Sequence, residues 1–178
     1  KKSNMSAPAS GPAKNRSPAD ITNPSLEVVR LTPEWQQGLQ QFFQDMKAGG
    51  DDVFFSPHPA DADSIRSIAA RNGKDLYYLL VEQDQVLGYG LLRGWDEGYQ
   101  IPSLGLAIHP AARGQGLGKM LMDILHFLAF RRGADKVRLR VRANNEKAMN
   151  LYKNLGYAFE EDTNQPDFLV GFKNIGRE

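Results

Sequence analysis

The spacing of apolar residues changes period several times along this chain, and each change marks a new element. Leu26-Glu-Val-Val-Arg-Leu31 alternates weakly and predicts a first strand. Thr32-Pro33-Glu34 supplies a helix cap, a proline at the first helical position and an early acid. The helix then places Trp35, Leu39, Phe42, Phe43 and Met46 at helical spacing and ends at Gly49-Gly50. After a loop through Ser56-Pro57-His58-Pro59, a short helix is predicted from about Asp61 to Ala70. Period-two runs from Asp75 to Val81 and from Val86 to Leu92 form a hairpin across residues 82–85. A glycine-bounded loop, residues 94–99, leads into a strand at 104–108 and a long amphipathic helix beginning near Lys119. That helix aligns Leu117, Met120, Leu121, Ile124, Leu125 and Leu128 on one face. Val137, Leu139 and Val141 alternate with Arg138, Arg140 and Arg142 in the next strand. A further helix and two closing strands, near 157–160 and 168–172, complete an α+β pattern without internal repeats.

Composition narrows the class. The chain has 178 residues, enough for one domain with a real core, and 41% hydrophobic content is ordinary for a globular protein. The first 24 residues carry little to bury and are read as a flexible tail, with Met5 a candidate start; residues 25–178 form the domain. Lys1, Lys2, Lys14 and Arg16 against Asp20 give that tail +3, so the overall +1 leaves the domain at −2. A whole-domain basic footprint for nucleic acid is absent. The chain has no cysteine, which excludes disulfides, thiolate metal sites and an acyl-cysteine intermediate. No apolar run is long enough for a membrane span, and the N-terminus lacks a secretory apolar stretch, so cytoplasmic residence is the default expectation. No metal is expected, and a homodimer is left open.

The densest chemistry lies between Leu104 and Gly118, Leu-Gly-Leu-Ala-Ile-His-Pro-Ala-Ala-Arg-Gly-Gln-Gly-Leu-Gly. A strand, a proline turn and a glycine-rich loop open directly into a helix. Such a loop turns backbone N–H groups inward and adds the positive end of the helix dipole, which suits a diphosphate. Gly116 and Gly118 let a ligand approach the backbone, and Arg113 adds a charged donor at the rim. A purely steric need for glycine at the turn is the plain alternative. A Walker A loop does not fit, because it would need glycine at Arg113 and Ser or Thr at Met120. G-x-G-x-x-G fails at Lys119.

Arg113-x-x-Gly116-x-Gly118 after a strand resembles the pyrophosphate loop of the GNAT acyltransferases, the general N-acetyltransferase superfamily. A second segment, Asn145-Glu-Lys-Ala148-Met-Asn-Leu151-Tyr152-Lys-Asn-Leu-Gly156-Tyr157, is similar to the N-x-x-A-x-x-L-Y-x-x-x-G-[FY] stretch that closes the same fold. The resemblance spans about residues 26–173. It implies an α+β fold with a mixed, mostly antiparallel sheet of about seven strands flanked by about four helices. It also implies acetyl-CoA as acyl donor, lying in a gap between the strand before the loop and the strand carrying the arginines. By position, Leu106, Ala107 and Ile108 would pair with the pantetheine arm, and Gly114, Gln115, Gly116, Leu117, Gly118 and Lys119 would hold the diphosphate beside Arg113. Asn145 would steady the pantetheine or serve only as a helix cap.

Tyr152 is the catalytic candidate. Acetyl transfer expels a thiolate, and a phenol with a pKa near ~10 can donate to that sulfur; the plain alternative is a packed aromatic. The general base departs from known relatives. Histone-acetylating members carry a glutamate where this chain has Pro102-Ser103, and ribosomal N-terminal acetyltransferases carry one where it has Arg140. The remaining candidates are Asp96 and Glu97 in the loop before the strand, and His58, with its useful unperturbed pKa near ~6.5. His109 and His126 are assigned to structure. Arg140, sharing a strand face with Arg138 and Arg142, either binds an anionic acceptor or belongs to a solvated face paired with acids. The expected activity is acetyl transfer to the amine of a small, anionic acceptor such as an amino sugar, a nucleotide-linked amino sugar or an amino acid-like amine. The alternatives are acetylation of a protein or peptide, and a non-catalytic CoA-binding regulatory module.

Overall fold

The computed structural model describes residues 25–176, so the expected tail at 1–24 lies outside the described residues. One open sheet of seven strands forms the middle layer. In chain order these are β1 (Glu27–Arg30), β2 (Leu76–Glu82), β3 (Gln85–Arg93), β4 (Ser103–Ile108), β5 (Lys136–Arg142), β6 (Ala158–Glu161) and β7 (Phe168–Asn174). Their spatial order is β1-β2-β3-β4-β5-β7-β6, and every neighbouring pair is antiparallel except β4 with β5. Four α-helices cover it: α1 (Gln36–Ala48), α2 (Ala62–Ala70), α3 (Leu117–Arg131) and α4 (Glu146–Asn154). The expected α+β architecture is therefore present.

Strand alternation divides the core into two layers. Leu79, Leu91, Tyr89 and Ala107 face α1 and α2, meeting Leu39, Phe42, Phe43 and Ile65. Leu80, Leu92, Leu104, Val137, Leu139 and Val141 face the other way, meeting Leu121, Met122 and Leu125 of α3 and Met149 and Tyr152 of α4. The β2–β3 hairpin closes through Gln83 and Asp84, both at positive φ, the twist that a tight hairpin needs.

Several expectations need adjustment. Thr32 does not cap a helix N–H; its hydroxyl donates to Glu34 Oε1 at 2.9 Å, and Trp35 lies in a 3-10 turn (Pro33–Trp35) ahead of α1. The α3 helix begins at Leu117, two residues before the expected start. Its core face is Leu117, Leu121, Met122, Leu125 and Ala129, while Met120, Ile124 and Leu128 are only half-buried. The stripe is broader than the surface the sheet offers it, so the outer positions stay partly in solvent. No helix among the described residues is long and apolar enough to cross a membrane.

Candidate active site

β4 and β5 are registered over only two pairs, Ser103 with Arg138 and Leu104 with Leu139. Beyond that point β4 stays paired with β3 as far as Ile108, and β5 with β7 as far as Arg142. The two central strands thus part in the middle of the sheet. A cleft of about 580 Å³ fills the gap, lined along one wall by Leu104, Gly105, Leu106, Ala107 and Ile108. Parting leaves the β5-facing backbone edge from Gly105 to Ile108 without a strand partner, and an extended ligand arm could pair with it.

The mouth of the cleft is the glycine loop. Gly114 and Gly116 adopt φ of 76° and 80°, a left-handed geometry that favours glycine, and Gly116 caps α3 without any side-chain bond. The first intrahelical bond closes from the Met120 N–H to the Gly116 carbonyl. The N–H groups of Leu117, Gly118 and Lys119 therefore have no carbonyl within the helix, and the positive helix end points with them. Gly118 also lines the cleft; a Cβ there would stand at ordinary contact distance from Leu151 and Ile108, 3.6 and 3.8 Å.

The charged members of the loop are placed less simply. Arg113 lines the cleft, but its guanidinium is turned onto Asp51, with Nη1–Oδ1 at 3.2 Å and Nη2–Oδ2 at 3.1 Å. Its Nε also donates to the Ile108 carbonyl at 3.2 Å. Arg113 is thus a clasp between the loop and the segment after α1 rather than a donor projecting from the rim. Lys119 turns away to Asp123 at 2.6 Å, which leaves its backbone N–H as its contribution, and the exposed Gln115 does not line the cleft.

The opposite wall is α4. Asn145 accepts from the Ala148 N–H at 3.3 Å, so it does cap the helix, and it lines the cleft as well. Its side-chain amide N–H groups have no partner among the described residues. Tyr152 enters from the same helix, 8% exposed, with its ring against Tyr157 and Phe159 at 5.8 and 6.5 Å. Burial pushes its phenol up to about 12. Its hydroxyl meets no hydrogen-bond partner among the described residues, and the side chain lines the cleft. Tyr157, the other motif tyrosine, is engaged with His126 Nε2 at 2.7 Å.

None of the three candidate bases lines the cleft. His58 has both ring nitrogens engaged, Nδ1 with the Pro59 carbonyl at 2.8 Å and Nε2 with the Tyr89 hydroxyl at 2.9 Å. Burial lowers its pKa, and its ring packs on Phe43 and Tyr89, which is a structural role. Asp96 Oδ1 accepts from the Lys74 N–H at 2.6 Å. Glu97 lines a second cavity, of about 670 Å³, beside the paired end of β4 and β5. His109, assigned to structure, accepts from the Ala111 N–H through Nδ1 and meets Asp45 through Nε2 at 3.0 Å.

The three arginines of β5 share a face but not a fate. Arg140 lines the cleft, yet Nε meets Asp162 at 2.7 Å, Nη2 donates to Gln165, and the guanidinium stacks on Phe168 at 3.9 Å. The Asn164 backbone N–H first, and Arg140 with it, hold the Asp162 carboxyl below its usual range. Arg142 donates to the Val53 carbonyl at 2.7 Å. Arg138 makes no such contact and lines the second cavity. Sequence reasoning missed Asp51, Phe54 and Phe55, which reach the cleft from the segment after α1, and the Asp162–Gln165 turn that holds Arg140. No local pattern marks these residues, because their partners lie far along the chain. No group of three or more potential metal-ligating side chains occurs among the described residues.

A family model described as "Acetyltransferase (GNAT) family" matches residues 34–157. A curated relative, "Acetyltransferase SG1711" of Sodalis glossinidius (strain morsitans), is 29% identical over 87 residues, covering 49% of this chain and 60% of that protein. The alignment thus spans less than two thirds of that relative's length. Among solved structures, PaiA N-acetyltransferase from Thermoplasma acidophilum in complex with coenzyme A superposes with a TM-score of 0.72 at 16% identity, over 84% of this chain and 99% of the other. YncA from Salmonella typhimurium, a putative acetyltransferase solved with acetyl-CoA, gives 0.69 at 16% identity, over 86% and 95%. At that identity these two likenesses speak to the fold.

Proposed function

Because the chain belongs to the Acetyltransferase (GNAT) family, we propose that it moves an acetyl group from acetyl-CoA directly to the primary amine of a small, anion-bearing acceptor. The observation that carries this reading is the meeting of three features in one cleft: the parted strands, the unbonded N–H groups at the α3 terminus, and the unpartnered Tyr152 hydroxyl. The Thermoplasma and Salmonella relatives, described as complexes with coenzyme A and acetyl-CoA, support the choice of donor. The diphosphate would rest on the N–H groups of Gly116 to Lys119. The pantetheine arm would run along Leu106, Ala107 and Ile108, with the Asn145 amide opposite. That path leads the thioester to the point where β4 and β5 meet.

There the acceptor nitrogen attacks the thioester carbonyl carbon. The C–N bond forms, the C–S bond breaks, and the sulfur leaves as a thiolate. Tyr152 meets that developing charge. With its phenol near 12 it is protonated throughout the neutral range, so it is always a donor. A thiol pKa is ordinarily near ~8.5, so complete transfer from such a phenol is uphill. Tyr152 therefore acts by donating a hydrogen bond to the sulfur as charge builds, while the proton balancing the thiolate comes from the amine. None of His58, Asp96 and Glu97 lines the cleft, so the amine enters in its neutral form, and the single proton it loses on forming the amide reaches the thiolate through water.

A free hydroxyl opening on the cleft at that place has no use in a module that only binds CoA, which favours catalysis. Tyr152→Phe tests the reading. The expected result is a fall in kcat of ~10²-fold or more with acetyl-CoA affinity retained. Turnover near that of the wild type would return Tyr152 to packing.

A further inference from the structure

The second cavity is built on one row of the sheet. Arg93 of β3 is registered with Ser103 of β4, Ser103 with Arg138 of β5, and Arg138 with Phe172 of β7. Paired residues project on the same face, so four consecutive strands offer their side chains to one space of about 670 Å³. Gly94, Glu97, Tyr99, Gln100 and Ile101 of the loop after β3 border it. Asp75 fixes the start of that loop by accepting from the N–H groups of Gly94, Trp95 and Asp96 at 2.9, 2.9 and 3.2 Å. The cavity is thus walled by a sheet and by a loop that a buried carboxylate holds in place.

Its charge is uneven. Arg138 Nε is shut off from solvent and meets no acceptor, and the guanidinium has no ion pair among the described residues. Arg93 donates through Nη1 to the Pro57 carbonyl at 2.7 Å, a neutral partner. Glu97 is the single acidic side chain lining the same space, and it pairs with neither arginine among the described residues. A donor left without an acceptor in a buried position costs free energy, so an unpaired guanidinium is where an anion gains most. The contrast with Arg140, two residues along the same strand face, is direct: there Asp162 and Gln165 already fill the role.

We propose that the cavity around Arg138 and Arg93 is the subsite for the anionic group of the acceptor. Amines that bear a carboxylate or phosphate at a short, fixed reach from the nitrogen are then its substrates. Two residues along a strand span roughly 7 Å, and Arg138 stands one such step from Arg140 at the cleft. Ser103 lines the one cavity and its chain neighbour Leu104 the other, at the place where β4 and β5 are still paired. An acceptor whose anion rests on Arg138 would therefore hold its amine where the strands part. The proposal deepens the acetyl-transfer reading and rests on it for the identity of the reaction.

The test compares 5-aminopentanoate and 3-aminopropyl phosphate with the neutral 5-aminopentanamide, following thiol release from acetyl-CoA. The wild type should favour the anionic amines by at least tenfold in kcat/KM. Arg138→Gln should abolish that preference by raising KM for the anionic amines, leaving the amide and acetyl-CoA nearly unchanged; amide turnover also reports that the variant is folded. Arg138→Lys should keep part of the preference. A preference for the acid alone or the phosphate alone identifies which anion the subsite takes. Equal use of anionic and neutral amines by the wild type, or a preference that survives in Arg138→Gln, overturns the proposal. If no amine is acetylated, the acetyl-transfer reading fails, and calorimetry with CoA present judges the subsite alone. Tighter binding of 5-aminopentanoate than of its amide, lost in Arg138→Gln, supports the subsite; equal binding refutes it.

Discussion

On the cleft side of the β4–β5 junction, the groups that could meet a ligand are mostly backbone. They are the unpaired strand edge from Gly105 to Ile108 and the open N–H groups at the start of α3. On the other side they are side chains, Arg93, Glu97, Ser103 and Arg138, gathered from three strands and a loop. Backbone donors tolerate change in the side chains that surround them, provided the turn and the parting of the strands survive. A side-chain site is altered by a single substitution. The division suits an enzyme with one fixed donor and an acceptor particular to itself.

The largest effect that would separate the two sides is that of pH. With the amine entering neutral from solution, kcat/KM for an amine acceptor should rise about tenfold per pH unit below the amine's own pKa, near ~10.4 for a lysine-like amine. Between pH 7 and pH 9 that is roughly a hundredfold. Tyr152 works in its protonated form, which is lost only as pH rises through about 12, so no descending limb should appear by pH 10. A flat profile would place a working base at the junction, with Glu97 the first to examine. A fall near pH 10 would return Tyr152 to an ordinary phenol.

Gly118→Val acts on the cleft side alone. The position has space for a side chain against Leu151 and Ile108 and is not at positive φ, so the fold should hold. Gly116 is unsuited to this test, since its φ of 80° would strain any replacement. A valine at Gly118 stands over the helix terminus and should weaken acetyl-CoA at least tenfold, about one lost charge-assisted bond, while the circular dichroism stays normal. Unchanged calorimetric affinity would move the diphosphate elsewhere.

A smaller change tests the clasp. Asp51 holds Arg113 in two bonds, and a diphosphate would compete for the same guanidinium. Asp51→Asn should release Arg113 and tighten acetyl-CoA by a few-fold, with little change in Tm because the pair is partly exposed. Weaker binding in that variant would mean that Asp51 positions Arg113 rather than competing for it.

The cleft side was readable in advance because its determinants are local. The glycines, the strand before them and the helix after them are contiguous, and Val137, Leu139 and Val141 announce their burial by alternation alone. The partner of Arg113 was hidden for the opposite reason: Asp51 lies far back along the chain, and nothing near Arg113 names it. The three arginines of β5 are the sharpest case. They are equivalent in pattern, and only the turn between β6 and β7, carrying Asp162 and Gln165 to Arg140, distinguishes them. His58 was a candidate base for the ordinary imidazole pKa near ~6.5 that a loop histidine would keep. The fold places it against Tyr89, whose hydroxyl takes its second nitrogen.

Hydrogen exchange with and without acetyl-CoA would test the division most directly, because it reports ligand contact along the backbone itself. The account predicts new protection in peptides spanning Gly105–Ile108 and Gly114–Lys119, with a weaker effect at Asn145–Tyr152 and none at Gly94–Ile101. Protection confined to residues 94–101, or none in the glycine loop, would contradict it.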